Sequence, residues 1–103
     1  MELGPMEDYN LMRDQARKML VGLAIEKTLL EISKSCLDKF EGMLYERHRC
    51  AVLDCYEHPE YLSEIVKELF GNSYMEVIKS VEKYLNEFSY QYPIEQFLRR
   101  INR

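Results

Sequence analysis

His48, Cys50, Cys55 and His58 place four metal-binding or nucleophilic side chains within eleven residues, the densest run of reactive groups in the chain. Zinc is held by imidazole nitrogens and thiolates, usually in close pairs such as C-x2–4-C and H-x3–5-H. The spacings here are His-x-Cys, Cys-x4-Cys and Cys-x2-His, with no second cysteine pair. The pattern does not support a zinc site, and the domain is expected to fold without a metal or other cofactor. A thiol enzyme would pair Cys50 or Cys55 with His48 or His58, the imidazole drawing the thiol toward its nucleophilic thiolate. There is no C-x-x-C redox motif, and a triad of Ser63, His58 and Asp54 would be assembled from common residues in a short window. The four glycines are scattered and form no phosphate cradle. No catalytic residue is assigned, and the chain is read as a non-enzyme, because function must be argued from a site.

Charge supplies the next candidates. Glu57, Glu60, Glu64 and Glu68 follow helical spacing and predict an acidic ridge, which reads as a solvated face or as a receiver for a basic partner. Arg13, Arg17 and Lys18 form one basic patch, and Arg99, Arg100 and Arg103 another. If these met on one surface they would contact phosphates, with Tyr90 or Tyr92 available to stack on a base. Against this, 14 Lys+Arg face 18 Asp+Glu, a formal charge of −4 that disfavours general nucleic-acid binding. Cations in a last helical turn also complement the helix dipole without any ligand.

The elements that carry these residues read as helices. From Pro5 to about Ile32 a long first helix is predicted, with Pro5 at its first position and Glu7 and Asp8 where the dipole favours negative charge. Met12, Ala16, Met19, Leu23 and Leu30 mark one apolar stripe, and Ile25, Leu29 and Ile32 a second. The seven-residue run Met19 to Ile25 is apolar around the whole circumference, so cover on every side is expected. It is far short of the roughly 20 residues that span a membrane. Ser35-Cys36-Leu37-Asp38 predicts the start of a second helix that runs to about Arg47, striped by Cys36, Leu37, Phe40, Met43 and Leu44. Residues 48–57 form an irregular connector in which Asp54 is a candidate cap. Pro59 and Gly71 bracket a third helix striped by Leu62, Ile65, Val66 and Leu69, with Gly71 as a left-handed cap. Ser73-Tyr74-Met75-Glu76 reads as a capping box for a fourth helix over 73–88. Pro93 biases Tyr92 toward extended backbone, and Ile94, Phe97, Leu98 and Ile101 stripe a short fifth helix.

The segment Asp54-Cys55-Tyr56-Glu57-His58-Pro59-Glu60-Tyr61-Leu62, followed by Lys67-Glu68-Leu69-Phe70-Gly71, resembles a small helical module of archaeal proteins, the Nitrosopumilus output domain family. The likeness rests on His-Pro-Glu, then Leu, then Leu-Phe-Gly, and covers roughly residues 19–85. It implies a place in signalling or regulatory proteins and brings no catalytic residues.

These readings converge on an all-α protein, a compact bundle of about five helices with one irregular connector, forming a single domain over 1–103 with an irregular tail at 1–5. No export signal is read at the N-terminus, and three cysteines are too few for a disulfide scaffold, so a reducing, cytoplasmic location is expected. The expected function is that of a homo-oligomeric regulatory adaptor with a protein partner and no membrane. A nucleic-acid-binding regulator and a thiol or metal switch at 48–58 are the alternatives. Self-association is expected through the first and last helices, at Met19, Leu20, Leu23, Ile94, Phe97, Leu98 and Ile101.

Overall fold

The computed structural model of the protein describes residues 5–102, with side chains from residue 13 onward. Residues 1–4 of the tail expected at 1–5, the side chains of Glu7, Asp8 and Met12, and Arg103 lie outside the described residues. Among those described there are five α-helices and no strand: α1 (Pro5–Ile32), α2 (Lys34–His48), α3 (Pro59–Phe70), α4 (Tyr74–Leu85) and α5 (Tyr92–Ile101). Pro5 is therefore the first helical residue rather than the end of a tail. A five-residue 3-10 turn, Val52–Tyr56, occupies the connector between α2 and α3. At 1.5 Å per residue the 28 residues of α1 make a rod of about 42 Å. That length accounts for most of the 51 Å long dimension of a molecule that is 28 Å by 22 Å across.

One core joins every helix. α1 packs on α2, α4 and the connector turn, while α3 packs on α2, α4 and α5. Val21, Ile25 and Leu29 of α1 are buried among Phe40 and Leu44 of α2, Leu62 and Ile65 of α3, Ile78 and Leu85 of α4, and Phe97 of α5. At about 25 cal/mol per Å² of apolar surface, such burial is what holds helices this short in place.

The ends of the elements depart from the sequence expectation in instructive ways. Ser33, not Ser35, caps α2: its backbone is extended and its Oγ accepts from the Cys36 N–H at 3.1 Å. The reason is position, since Leu37 and Phe40 must face the core and the helix has to begin early enough to deliver them. α2 ends at Arg49, a non-glycine residue in the left-handed region (φ 54, ψ 38), whose N–H returns to the Tyr45 carbonyl. Gly71 has the positive φ expected of it (54), but ψ of −124 takes it out of the left-handed helical region into one that glycine alone enters readily. The capping box at Ser73 does not form, because a 3-10 turn over Gly71–Ser73 leads straight into α4 and Ser73 makes no side-chain cap. The residues expected to finish α4 tighten into a third such turn, Asn86–Phe88. Tyr92 is already helical and the extended residue is Gln91 (ψ 119). No helix among the described residues is long and apolar enough to cross a membrane.

Candidate interaction groove

Val21, Ala24, Ile25 and Leu29, with Thr28, point into the core, whereas Met19, Leu23 and Leu30 of the first stripe are 64%, 54% and 49% exposed, and Ile32, at the end of the second, is exposed with them. The chain itself leaves one face of α1 open, so the cover expected on that side has to come from outside the chain. What it adds is the connector turn, laid along one flank. Gly22 makes that approach possible: a Cβ there would collide with Leu53 Cδ2. Between α1 and the turn runs an open groove of about 680 Å³, whose apolar wall is Met19, Leu20, Leu23, Val52 and Leu53, with Glu26 and Glu41 at its edge. Leu53 was not apparent as a wall residue from the sequence, although a glycine inside an apolar helical run signals close approach of another segment.

Polar contacts hold the turn in place. Asp54 accepts from the Ala51 N–H at 2.8 Å, the capping role expected of it, and takes an ion pair from Lys18 at 3.2 Å. The Ala51 amide and Lys18 together hold its carboxyl below the usual carboxylate range. Lys18 also pairs with Glu57 at 2.9 Å. One turn of α1 earlier, the Tyr56 hydroxyl donates to Asp14 at 2.5 Å and accepts from Arg17 Nε at 3.3 Å, and Arg17 reaches Gln91 at 3.4 Å. α1 thereby grips both the connector and the link before α5.

The four residues of the reactive run separate. His48, Cys50 and His58 line one side of a small open cleft, while Cys55 is fully buried in the core and desolvation pushes its thiol up to about 12. The Cys50 thiol is also raised, by burial and then by Asp54. At both sulfurs burial favours the thiol over the thiolate. The two imidazoles instead flank Tyr61: His48 stacks on its ring at 3.6 Å and 6°, and His58 follows at 4.6 Å and 13°. Glu60 Oε2 lies 3.3 Å from His58 Nδ1 and Glu64 Oε1 lies 3.5 Å from His48 Nε2. Tyr61, three residues after His58, is the member that the sequence reading missed, though i,i+3 spacing puts the two on one face. Among the described residues no group of three or more His, Cys, Asp or Glu side chains could hold a metal ion. Ser63 is buried and donates to the Ile101 carbonyl at 3.3 Å, which removes it from any triad with His58 and Asp54.

The charged patches are engaged within the chain. Arg47 spans Glu64 and Glu68, Arg100 binds Glu60 at 3.0 Å and Lys18 binds Glu57, so each carboxylate of the acidic ridge already has a cation. Arg99 pairs with Glu95, four residues before it. Ile94, Phe97, Leu98 and Ile101 all lie in the chain's own core. That corrects the expectation that the last helix offers its stripe to a second copy, because docking on α3 and α4 has consumed it. Of the seven expected interface residues, Met19, Leu20 and Leu23 still reach the surface, and all three line the groove. Set against protein-family models, curated proteins and solved structures, the chain matches none of them.

Proposed function

We propose that this chain is a non-enzymatic regulatory interaction module that self-associates through the outward stripe of α1. One observation carries the reading: large apolar side chains sit in solvent at Met19, Leu23 and Leu30, on a spacing of four and seven. With Ala16 before them and Glu26 between, the series 16, 19, 23, 26, 30 alternates three and four residues, the a/d seam of a coiled coil. Such a seam is self-complementary, which favours a second copy over an unrelated partner, and a two-fold axis lets one stripe satisfy both chains. Glu26, at a seam position otherwise apolar, specifies register at some cost in affinity, as a single polar residue does in other seams. The regulatory role rests on the resemblance of residues 54–71 to the output-domain family, and a cytoplasmic setting on the unpaired cysteines. A nucleic-acid role is disfavoured by the engagement of Arg17, Lys18, Arg99 and Arg100 with carboxylates of the same chain.

Light scattering coupled to gel filtration at tens of micromolar tests the proposal. The expected result is a dimer mass that Leu23→Glu reduces to monomer with helical content retained. A strictly monomeric wild type overturns it.

A further inference from the structure

A second concavity, of about 350 Å³, opens on the far side of α1, where its last turns face the start of α4. Its volume lies at the low end of small-ligand sites. Two carboxylates line it, Glu31 from α1 and Glu76 from α4, and no lysine or arginine does. The Tyr84 hydroxyl donates to Glu31 Oε2, which fixes that carboxylate and leaves its other oxygen available. Glu76 has no hydrogen-bond or ion-pair partner among the described residues. Phe70, Ile32 and Val77 supply apolar wall.

The observation that turns this acidic hollow into a candidate site is Thr28. It lines the same cavity, is 2% exposed, and its hydroxyl oxygen is buried without any hydrogen-bond partner. A buried hydroxyl left unmatched costs stability, and valine would fill the same space without that cost. An unpartnered acceptor beside two carboxylates is an arrangement that a cationic donor completes. With only two carboxylates and no third metal-ligating side chain, the hollow falls short of a divalent-cation site. Its apolar wall calls for carbon next to the charge.

We propose that the Thr28–Glu31–Glu76 cavity binds a small organic ammonium, a primary amine on a short alkyl chain. The ammonium donates to Thr28 Oγ1 and to the two carboxylates, and the alkyl chain lies on Ile32, Phe70 and Val77. The site is on a different face from the α1 seam and does not depend on self-association.

Propylammonium is the probe, with n-propanol as its uncharged match and Mg²⁺ as the purely ionic one, read by amide chemical shifts and thermal unfolding of the full chain. Propylammonium is expected to move the amides around Thr28, Phe70 and Val77 saturably and to raise the melting temperature, where propanol and Mg²⁺ do neither. Glu76→Gln is expected to weaken binding about tenfold, the size of one lost charge-assisted hydrogen bond. Thr28→Val is expected to melt higher than wild type without ligand and to lose the amine-induced rise, while Thr28→Ser keeps it. Equal shifts with propanol, equal shifts with Mg²⁺, or full amine binding by the valine variant would each overturn the proposal.

Discussion

At the scale of single residues, burial decides what the reactive run can do. Cys55 contributes its volume to the core rather than its sulfur to chemistry, and its raised thiol pKa follows from that desolvation. Alkylation mapped by mass spectrometry at pH 8 is expected to label Cys36 and Cys50 in the native protein and Cys55 only on unfolding; prompt native labelling of Cys55 would contradict the core placement. Asp54 makes the opposite case, a carboxylate stabilised when charged. Because its folded-state pKa is depressed, its contribution is present above the unfolded value of about 3.9 and is lost as pH falls through the folded one. Asp54→Ala is expected to cost about 1 kcal/mol at pH 7 through the lost cap, a deficit that narrows below about pH 4. Denaturant melts at pH 7 and pH 3 measure both. The capping role of Asp54 was legible in the sequence, since a short acidic side chain in an irregular stretch has few other uses. The Tyr61 stack was not, because it joins three segments whose approach depends on the connector's path.

At the scale of elements, apolar spacing predicted all five helices, and local capping signals were less dependable. Ser35 and Ser73 both have the sequence of a capping residue, yet the α2 cap falls to Ser33, and Ser73, though it stands at the N-terminus of α4, makes no side-chain cap; the register in which Leu37 and Phe40, or Val77 and Ile78, reach the core outweighs about 1 kcal/mol of capping. The acidic ridge likewise followed from spacing, but its neutralisation did not, because Arg47 and Arg100 arrive from other helices. Two glycines in helix interiors separate propensity from packing. A Cβ at Gly42 meets nothing within 4 Å, so Gly42→Ala is expected to stabilise by about 0.8–1 kcal/mol through helix propensity alone. At Gly22 the same gain is opposed by the collision with the end of the Leu53 side chain, which is partly exposed and has to swing aside. Gly22→Ala is therefore expected to gain less stability than Gly42→Ala and to push Leu53 outward, altering the groove. A matched pair of thermal melts checks the contrast, and equal stabilisation by both would show that the turn does not press on α1.

For the whole molecule, the sequence indicated that α1 and α5 both had apolar surface to hide, without indicating which would be satisfied internally. α5 is ten residues and cannot persist undocked, so its stripe goes into the core; α1 is long enough to stand with one face open. Truncating Phe97 to alanine is accordingly expected to cost about 3–5 kcal/mol of folding stability, whereas Leu23→Glu leaves the folding stability of the separated chain within about 0.5 kcal/mol of wild type. Urea titrations compare the two. The rod-like α1 also governs how the protein travels through a solvent. A radius of gyration of 14.5 Å exceeds the roughly 13 Å of a round domain of about 100 residues, and the long axis is nearly twice the next. A particle of that shape has more drag than its mass implies. It leaves a sizing column early, so the retention volume of a lone chain overstates its mass, and the copy number has to come from scattered light.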